Sequence, residues 1–387
     1  MKKLYFFFLI CINSCLFGQN NEYSLVVKDI ETLLPIENVT VVVLKTKQIL
    51  VTNKLGKVSF ELNGSSSIEV SEIAYEPETV RWAVLQKNEF VVYIKSKDNK
   101  LDEIIVSKEN PQKTLQKIVT NSIRALTLPA RLKVYVREFF KFNDIYSYYN
   151  DGLVNFQFTN DQKKIKTVLL IEQNRSYGLT ENFNGEDLLG YNLNNIMENY
   201  ISFKYLEPLL NSKIIKDYDF LIKGMASNKN YQLLSAIPKT GTEGKLDNYE
   251  VIYDVDKKII IQYTIKVASN RLSDSKEKQG SSSKNYTKSI VNVSYRLTNS
   301  DYFFIRSKEE ISFYVVEKDK IKRYEVQNDF FSTHFDRKKF TYNDNDVFKE
   351  KTLFNKKNKI LTNYWDVSGF TATDEEKKIV ESLEYKL

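Results

Sequence analysis

The sequence predicts a mainly β or α+β protein, with an N-terminal β-sandwich followed by a larger antiparallel-sheet domain with docked helices. Three observations lead there. Tyr and Phe number 25 and 24, and aromatic side chains suit pleated surfaces. Residues 22–96 alternate polar and apolar between turn signals, the period of half-buried strands. Beyond residue 210 long alternating runs recur, with few helical patterns among them. At 387 residues the chain has room for two domains, since one core usually serves about 100–200 residues.

Residues 1–18 read as an export signal. Lys2 and Lys3 precede an apolar run from Leu4 to Phe17, broken only by Asn13 and Ser14, and Gly18 stands before Gln19-Asn20-Asn21. The run is shorter than the ~20 apolar residues of a membrane span. Cleavage is expected after Gly18. Ile12-Asn13-Ser14-Cys15 offers an alternative, a lipoprotein signal with Cys15 lipidated, which Asn13 and the following Leu16-Phe17 disfavour. The expected location is the cell envelope, periplasmic or associated with the outer membrane, with no transmembrane helix after signal removal.

Charge and rare residues exclude several classes of function. The formal charge of +7 is spread as mixed Lys and Glu, whereas nucleic-acid binding needs a clustered basic stripe. Both cysteines, Cys11 and Cys15, lie in the signal, so disulfides, thiolate nucleophiles and Cys-bound metals are not expected in the mature chain. His334 is the single histidine, which argues against catalytic triads and against three-histidine or HExxH zinc sites. No cofactor is expected.

The N-terminal elements follow in order. Tyr23 to Val27 is a first strand, turning at Lys28 to Thr32, and Leu34 to Asn38 leads into the β-branched run Val39 to Leu44. A turn at Asn53 to Gly56 follows, with Gly56 able to adopt positive φ. Lys57 to Leu62 and Ser67 to Ser71 alternate and are expected to form a hairpin across Asn63-Gly64-Ser65-Ser66. Trp82 to Leu85 and Glu89 to Ile94 complete the strands.

Taken together, these residues resemble the carboxypeptidase-regulatory-like domain, a transthyretin-like β-sandwich of about seven strands. The resemblance rests on Val27 and Asp29, Leu34-Pro35-Ile36-Glu37-Asn38-Val39, the turn from Thr52 to Phe60, and Ile68 to Tyr75, where Ala74 replaces the usual Gly. Leu101-Asp102-Glu103-Ile104-Ile105-Val106 is similar to the segment that follows such domains in Gram-negative envelope proteins. The expected domain is 22–106. The resemblance implies a spacer or interaction module, and a single histidine argues against metallocarboxypeptidase activity.

Residues 107–130 read as a polar joint and an amphipathic helix, with Leu115, Ile118, Val119, Ile123 and Leu126 on one face and Pro129 after it. The α+β domain 131–387 then begins. Tyr135-Val136-Arg137-Glu138-Phe139-Phe140, followed by Tyr146, Tyr149, Asp151 and Gly152, resembles uncharacterised exported proteins. Leu189, Leu193, Ile196, Tyr200, Phe203 and Leu206 predict a helix over 187–210, kinked or ended by Pro208, docked on a sheet. Asn270 to Lys284, Ser- and Lys-rich, is expected to be a mobile loop tip. Thr373-x-x-Glu376 is a capping box opening a last helix with Ile379, Val380 and Leu383, behind the closing pair Tyr364-Trp365.

Candidate site residues are few. Trp82 could stack on a sugar, as on carbohydrate-binding-like sandwiches, or fill a core. Arg137 could hold an anion or join a surface pair, and it must point away from Glu138 because successive strand residues alternate faces. His334 could shuttle protons near Asp336, or be an ordinary side chain. The expected role is non-catalytic binding in the envelope, of a partner protein, a glycan or a lipid-linked ligand. The alternatives are a carrier of an apolar ligand in a half-barrel cavity and a carboxylate-dependent glycan hydrolase.

Overall fold

The computed structural model describes residues 21–97, 110–161, 164–178, 193–225, 228–242, 247–267, 271, 276–279, 282–317, 320–350, 352–353, 357–360 and 370–384. The export signal with Cys15, the Leu101 to Val106 segment and Tyr364-Trp365 lie outside them. The protein is mainly β, with short helices. It divides into two compact units, Met1–Ser96 with Thr362–Thr373, and Lys97–Leu361 with Asp374–Leu387.

Among the described residues the first unit has seven strands: β1 (Asn21–Asp29), β2 (Thr40–Val43), β3 (Gln48–Val51), β4 (Lys57–Leu62), β5 (Ile68–Ser71), β6 (Glu78–Val80) and β7 (Val91–Ile94). They form two sheets, β4-β1-β7 and β3-β2-β5-β6, around one core that includes Leu25, Val41, Phe60, Val70 and Ile94. The expected hairpin across residues 63–66 is corrected. β4 pairs with β1 and β5 with β2, so this turn carries the chain from one sheet to the other. Residues 82–85 form no strand either. They open helix α1 (Trp82–Lys87), which buries Leu85 and packs Trp82 at helical spacing onto the same core.

The turn at Thr52-Asn53 is built as its residues require. Thr52 Oγ1 donates to the Ile36 carbonyl and accepts from Val39 N–H. Asn53 Oδ1 accepts from the Leu55 and Lys57 amides, while its Nδ2 donates 2.9 Å to the Thr371 carbonyl. Gly56 has φ +67°, and a Cβ there would lie 2.5 Å from the Val27 carbonyl oxygen, so only glycine fits.

The second unit opens with helix α2 (Pro111–Ala125), which Asn110 caps and Pro111 starts. The helix docks on the sheet, and the polar joint expected before it lies largely outside the described residues. Leu115, Ile118, Val119 and Ser122 are buried, whereas Ile123 is exposed. Ser122 takes the inward position expected for Ile123, and its Oγ accepts from the Ile260 amide. The strands that follow are β8 (Ala130–Phe142), β9 (Ile145–Asp161), β10 (Lys164–Gly178), β11 (Tyr218–Gly224), β12 (Tyr231–Pro238), β13 (Asp247–Asp254), β14 (Ile259–Val267), β15 (Lys276–Gln279), β16 (Ser282–Leu297), β17 (Tyr302–Glu317) and β18 (Lys320–Asp336).

Ten of them pair antiparallel in the order β10-β9-β8-β18-β17-β16-β14-β13-β12-β11, and β15 adds to β16. The expected loop tip at 270–284 is thus partly a hairpin, since Lys276 to Gln279 pair with Ser282 to Asn285. Over β17 and β18 lies helix α3 (Leu193–Ile201), followed by a 3-10 turn and helix α4 (Glu207–Leu210). The break falls at Phe203, in the left-handed region at φ +55°, and Pro208 instead sits in the first turn of α4. Residues 187–192 of the expected helix lie outside the described residues. Helix α5 (Asp374–Glu384) packs Leu383, Ile379 and Val380 against Phe139, Tyr149 and Tyr177.

Candidate functional site

Strand register assembles on one face of the large sheet what the sequence scatters. The face covered by α3, opposite to the one that carries α5, holds one row across all ten strands: Ile222, Leu234, Val251, Tyr263, Val293, Ser307, Phe330, Val136, Gly152 and Asn174. Two residues along lies a second row. Its first half is apolar, Phe220, Ala236, Tyr249, Ile265 and Val291. Its second half is polar throughout: Glu309, Asn328, Glu138, Asn150 and Ser176. The polar half is buried except for half-buried Ser176.

Apolar side chains bound this polar row on the sheet. Phe140, Tyr148, Phe313, Tyr324 and Val326 form a core cluster beyond it, with Ile311 packed alongside. On the other side, Tyr200 of α3 stacks on Phe304 at 5.3 Å and meets Phe330 edge-on. Among the described residues, one small cavity of about 20 Å³ beside α3 is lined by Leu126, Leu132, Phe158, Ile201, Phe304 and Phe335 among others. A larger groove of about 450 Å³ lies at the end of α2, between Arg124, Lys257 and Asp301. It is open, and Arg337 engages its Asp301 at 2.7 Å.

Two carboxyls stand in the polar row with one strand between them. Glu138 Oε1 accepts from the Tyr148 hydroxyl and, at 3.2 Å, from Asn150 Nδ2. Its Oε2 has no partner among the described residues. Burial pushes this carboxyl up to about 7, and the Tyr148 and Asn150 hydrogen bonds hold it from going higher. Glu309 Oε1 accepts from Tyr200 at 2.7 Å and Tyr205 at 3.0 Å. Burial raises it too, against those two hydroxyls. Below Glu138 a cavity of about 10 Å³ is lined by Glu138, Asn150, Leu193, Thr352 and Leu353. Leu353 rests over Gly152, where a Cβ would approach its Cδ1 to 2.6 Å.

The opposite face of the same strands is a satisfied charge network. Arg137 Nε lies 2.7 Å from Asp329, and its other arm reaches Glu376 of α5 at 3.1 Å. Arg175 holds Asp151 with two 2.9 Å bonds, and the hydroxyls of Tyr135 and Tyr149 also donate to Asp151. Burial drives both tyrosines upward, with Asp151 adding to the effect.

The predicted site residues fall apart. Arg137 is buried and doubly paired beneath α5, which corrects the expected surface pair. Trp82 is half-buried, edge-on to Tyr23 at 4.9 Å and Phe90 at 5.3 Å. His334 contacts Thr333 Oγ1 at 3.3 Å, and burial with nearby Lys133 and Arg131 pushes it down to about 4. Glu138 entered the sequence reading only as a neighbour of Arg137, and Asn328 and Glu309 carried no signal at all. Each is one polar residue in an alternating strand, and only pairing brings them together.

No protein-family model matches the chain, and no curated protein matches it. Among solved structures, a DUF1329 family protein from Desulfovibrio piger aligns at 9% identity and TM-score 0.26, over 58% of this chain and 94% of that one. A LolA superfamily protein from Nitrosomonas europaea aligns at 9% and 0.22 over the same shares. Lipovitellin, in a structure describing its lipid–protein interactions, aligns at 9% and 0.28 over 61% of this chain and 28% of its own. Likeness at these scores assigns this chain neither a family nor a ligand.

Proposed function

We propose that this is an exported envelope protein that binds without catalysis, and that its second unit takes an apolar or amphiphilic ligand along the helix-covered sheet face. One observation carries the reading: a continuous inner face on which an apolar half-row runs into a polar half-row. Ligand sites combine mostly apolar walls with a few placed polar groups. The ligand enters by lifting the segment from α3 to α4, which is short, broken at Phe203 and built of separate turns. The N-terminal sandwich serves as a carboxypeptidase-regulatory-like spacer or interaction module.

The test is titration of the mature chain with the apolar dye N-phenyl-1-naphthylamine, together with mass spectrometry of an organic extract of the purified protein. Saturable dye binding and a co-purifying amphiphile are expected. Neither appearing sinks the reading.

A second reading, glycan hydrolysis, rests on Glu138 and Glu309, buried on one face two strands apart, or about 10 Å. That spacing is near the range of inverting glycosidases. Binding is favoured because Tyr200 and Tyr205 close over Glu309. Turnover of envelope polysaccharide, lost in both E138Q and E309Q, would reverse the preference.

A further inference from the structure

The polar half-row is short of donors. Glu138 is 3% exposed and its Oε2 has no partner among the described residues; Asn328, facing it across β8 and β18, is 2% exposed and leaves Oδ1 without one. Asn174, fully buried in the adjacent row, leaves its Oδ1 likewise. Buried polar atoms are nearly always partnered, and each unmet one costs about 1–3 kcal/mol. The two amide oxygens can only accept, and so does Glu138 Oε2 once the carboxyl is ionised, so the group that completes them then is an N–H or O–H donor. The row also selects by charge. It holds two carboxyls and no base, because Arg137 leaves β8 on the opposite face toward Asp329 and Glu376. An anionic head would be repelled there.

We propose that Glu138 and Asn328, with Asn150 beside them, recognise the hydrogen-bond-donating head of an amphiphile, a hydroxyl or an ammonium, whose chain lies along the apolar half-row. The proposal rests on the binding reading above and adds the class of head group. The cavity at Glu138, about 10 Å³, holds roughly one water. The head therefore takes the volume now filled by Leu353 over Gly152, where the absent Cβ leaves a flat floor.

Four amphiphiles with sixteen-carbon chains separate the possibilities: hexadecylamine, hexadecanol, methyl palmitate and palmitate. Each competes for N-phenyl-1-naphthylamine bound to the mature chain at pH 8, below its aggregation concentration. The amine and the alcohol are expected to displace dye at concentrations at least about tenfold lower than the ester or the acid, the size of one good buried hydrogen bond. E138Q should erase most of the amine's advantage and N328L most of the alcohol's, with the ester moved less than about twofold in both. Equal displacement by all four, or an unchanged ratio in both variants, overturns the head-group site while leaving chain binding intact. Failure of the dye to bind wild type at all overturns the binding reading itself.

Discussion

Arg137 and Glu138 leave strand β8 on opposite faces, and each face answers the burial of charge differently. Arg137 is neutralised by partners, Asp329 at 2.7 Å and Glu376 at 3.1 Å. Glu138 has only neutral donors, and burial moves its carboxyl up to about 7. One residue is held charged by its neighbours, while the other is poised to change charge. This places the adaptable chemistry on the helix-covered face.

That difference predicts a pH-dependent stability traceable to Glu138. Its ordinary value is 4.5 and its folded value about 7, so between them the native state holds a proton that the unfolded chain has lost. The stabilisation is fully present below pH 4.5 and is lost as pH rises through 7, by about 3 kcal/mol for a shift of this size. His334, pushed down to about 4, works the other way: its stability is present above about pH 6.5 and lost as pH falls through 4. The informative quantity is therefore wild type against E138Q, by urea unfolding at pH 5 and pH 8. The variant should be relatively more stable at pH 8, and equal pH slopes for the two proteins would refute the assignment.

On the other face, Arg137→Met should destabilise strongly. It leaves buried Asp329 and half-buried Glu376 near one another without their cation, and breaking a buried pair such as Arg137–Asp329 costs about 3–5 kcal/mol. Asp329→Asn in the same chain removes the stranded charge and should restore a large part of the loss. Thermal or urea midpoints of the single and double variants decide it. A double variant no better than Arg137→Met would mean that the arginine acts by packing alone.

Much of the fold was legible in the sequence, and the reason is local. Alternation over Lys57 to Leu62 or Tyr249 to Tyr253 needs no partner to be read, and Gly56 announced its left-handed turn. Pairing was not legible. Glu138 meets Asn328, and Asn328 meets Glu309, through contacts that no short window of sequence contains. Trp82 to Leu85 failed for a different reason: four residues are too few to tell one helical turn from a strand. Within 193–210 the pattern had the right apolar face, yet the chain breaks at Phe203, a bulky residue in the left-handed region whose ring packs against Tyr295 at 4.9 Å.

Thr371 should prove to be part of the first unit's fold, despite standing more than 300 residues from its partners. Its Oγ1 accepts from the Ser59 amide at 2.8 Å, and its carbonyl accepts from Asn53 Nδ2. Thr371→Val keeps the shape and the carbonyl but removes the side-chain acceptor. A loss of about 1 kcal/mol is expected, with faster hydrogen exchange at the Ser59 amide and none at the β2 amides. Unchanged Ser59 exchange would show that this bond contributes nothing.

Gly152 and Leu353 give the most direct check of the floor beneath the polar row. Gly152 has no positive φ, so a side chain there meets no backbone strain; its Cβ would instead lie 2.6 Å from Leu353 Cδ1 and 3.1 Å from the Gln173 carbonyl oxygen. Gly152→Ala should therefore cost about 1–3 kcal/mol by overpacking. Leu353→Ala alone should cost about 2–5 kcal/mol, because the leucine is 1% exposed. In the Leu353→Ala background the clash with Cδ1 is gone, and Gly152→Ala should then cost less than about 1 kcal/mol, a coupling that a double-mutant cycle reads directly. Additive costs would mean that Leu353 does not rest on Gly152, and the volume assigned to the ligand's head would have to be sought elsewhere on the row.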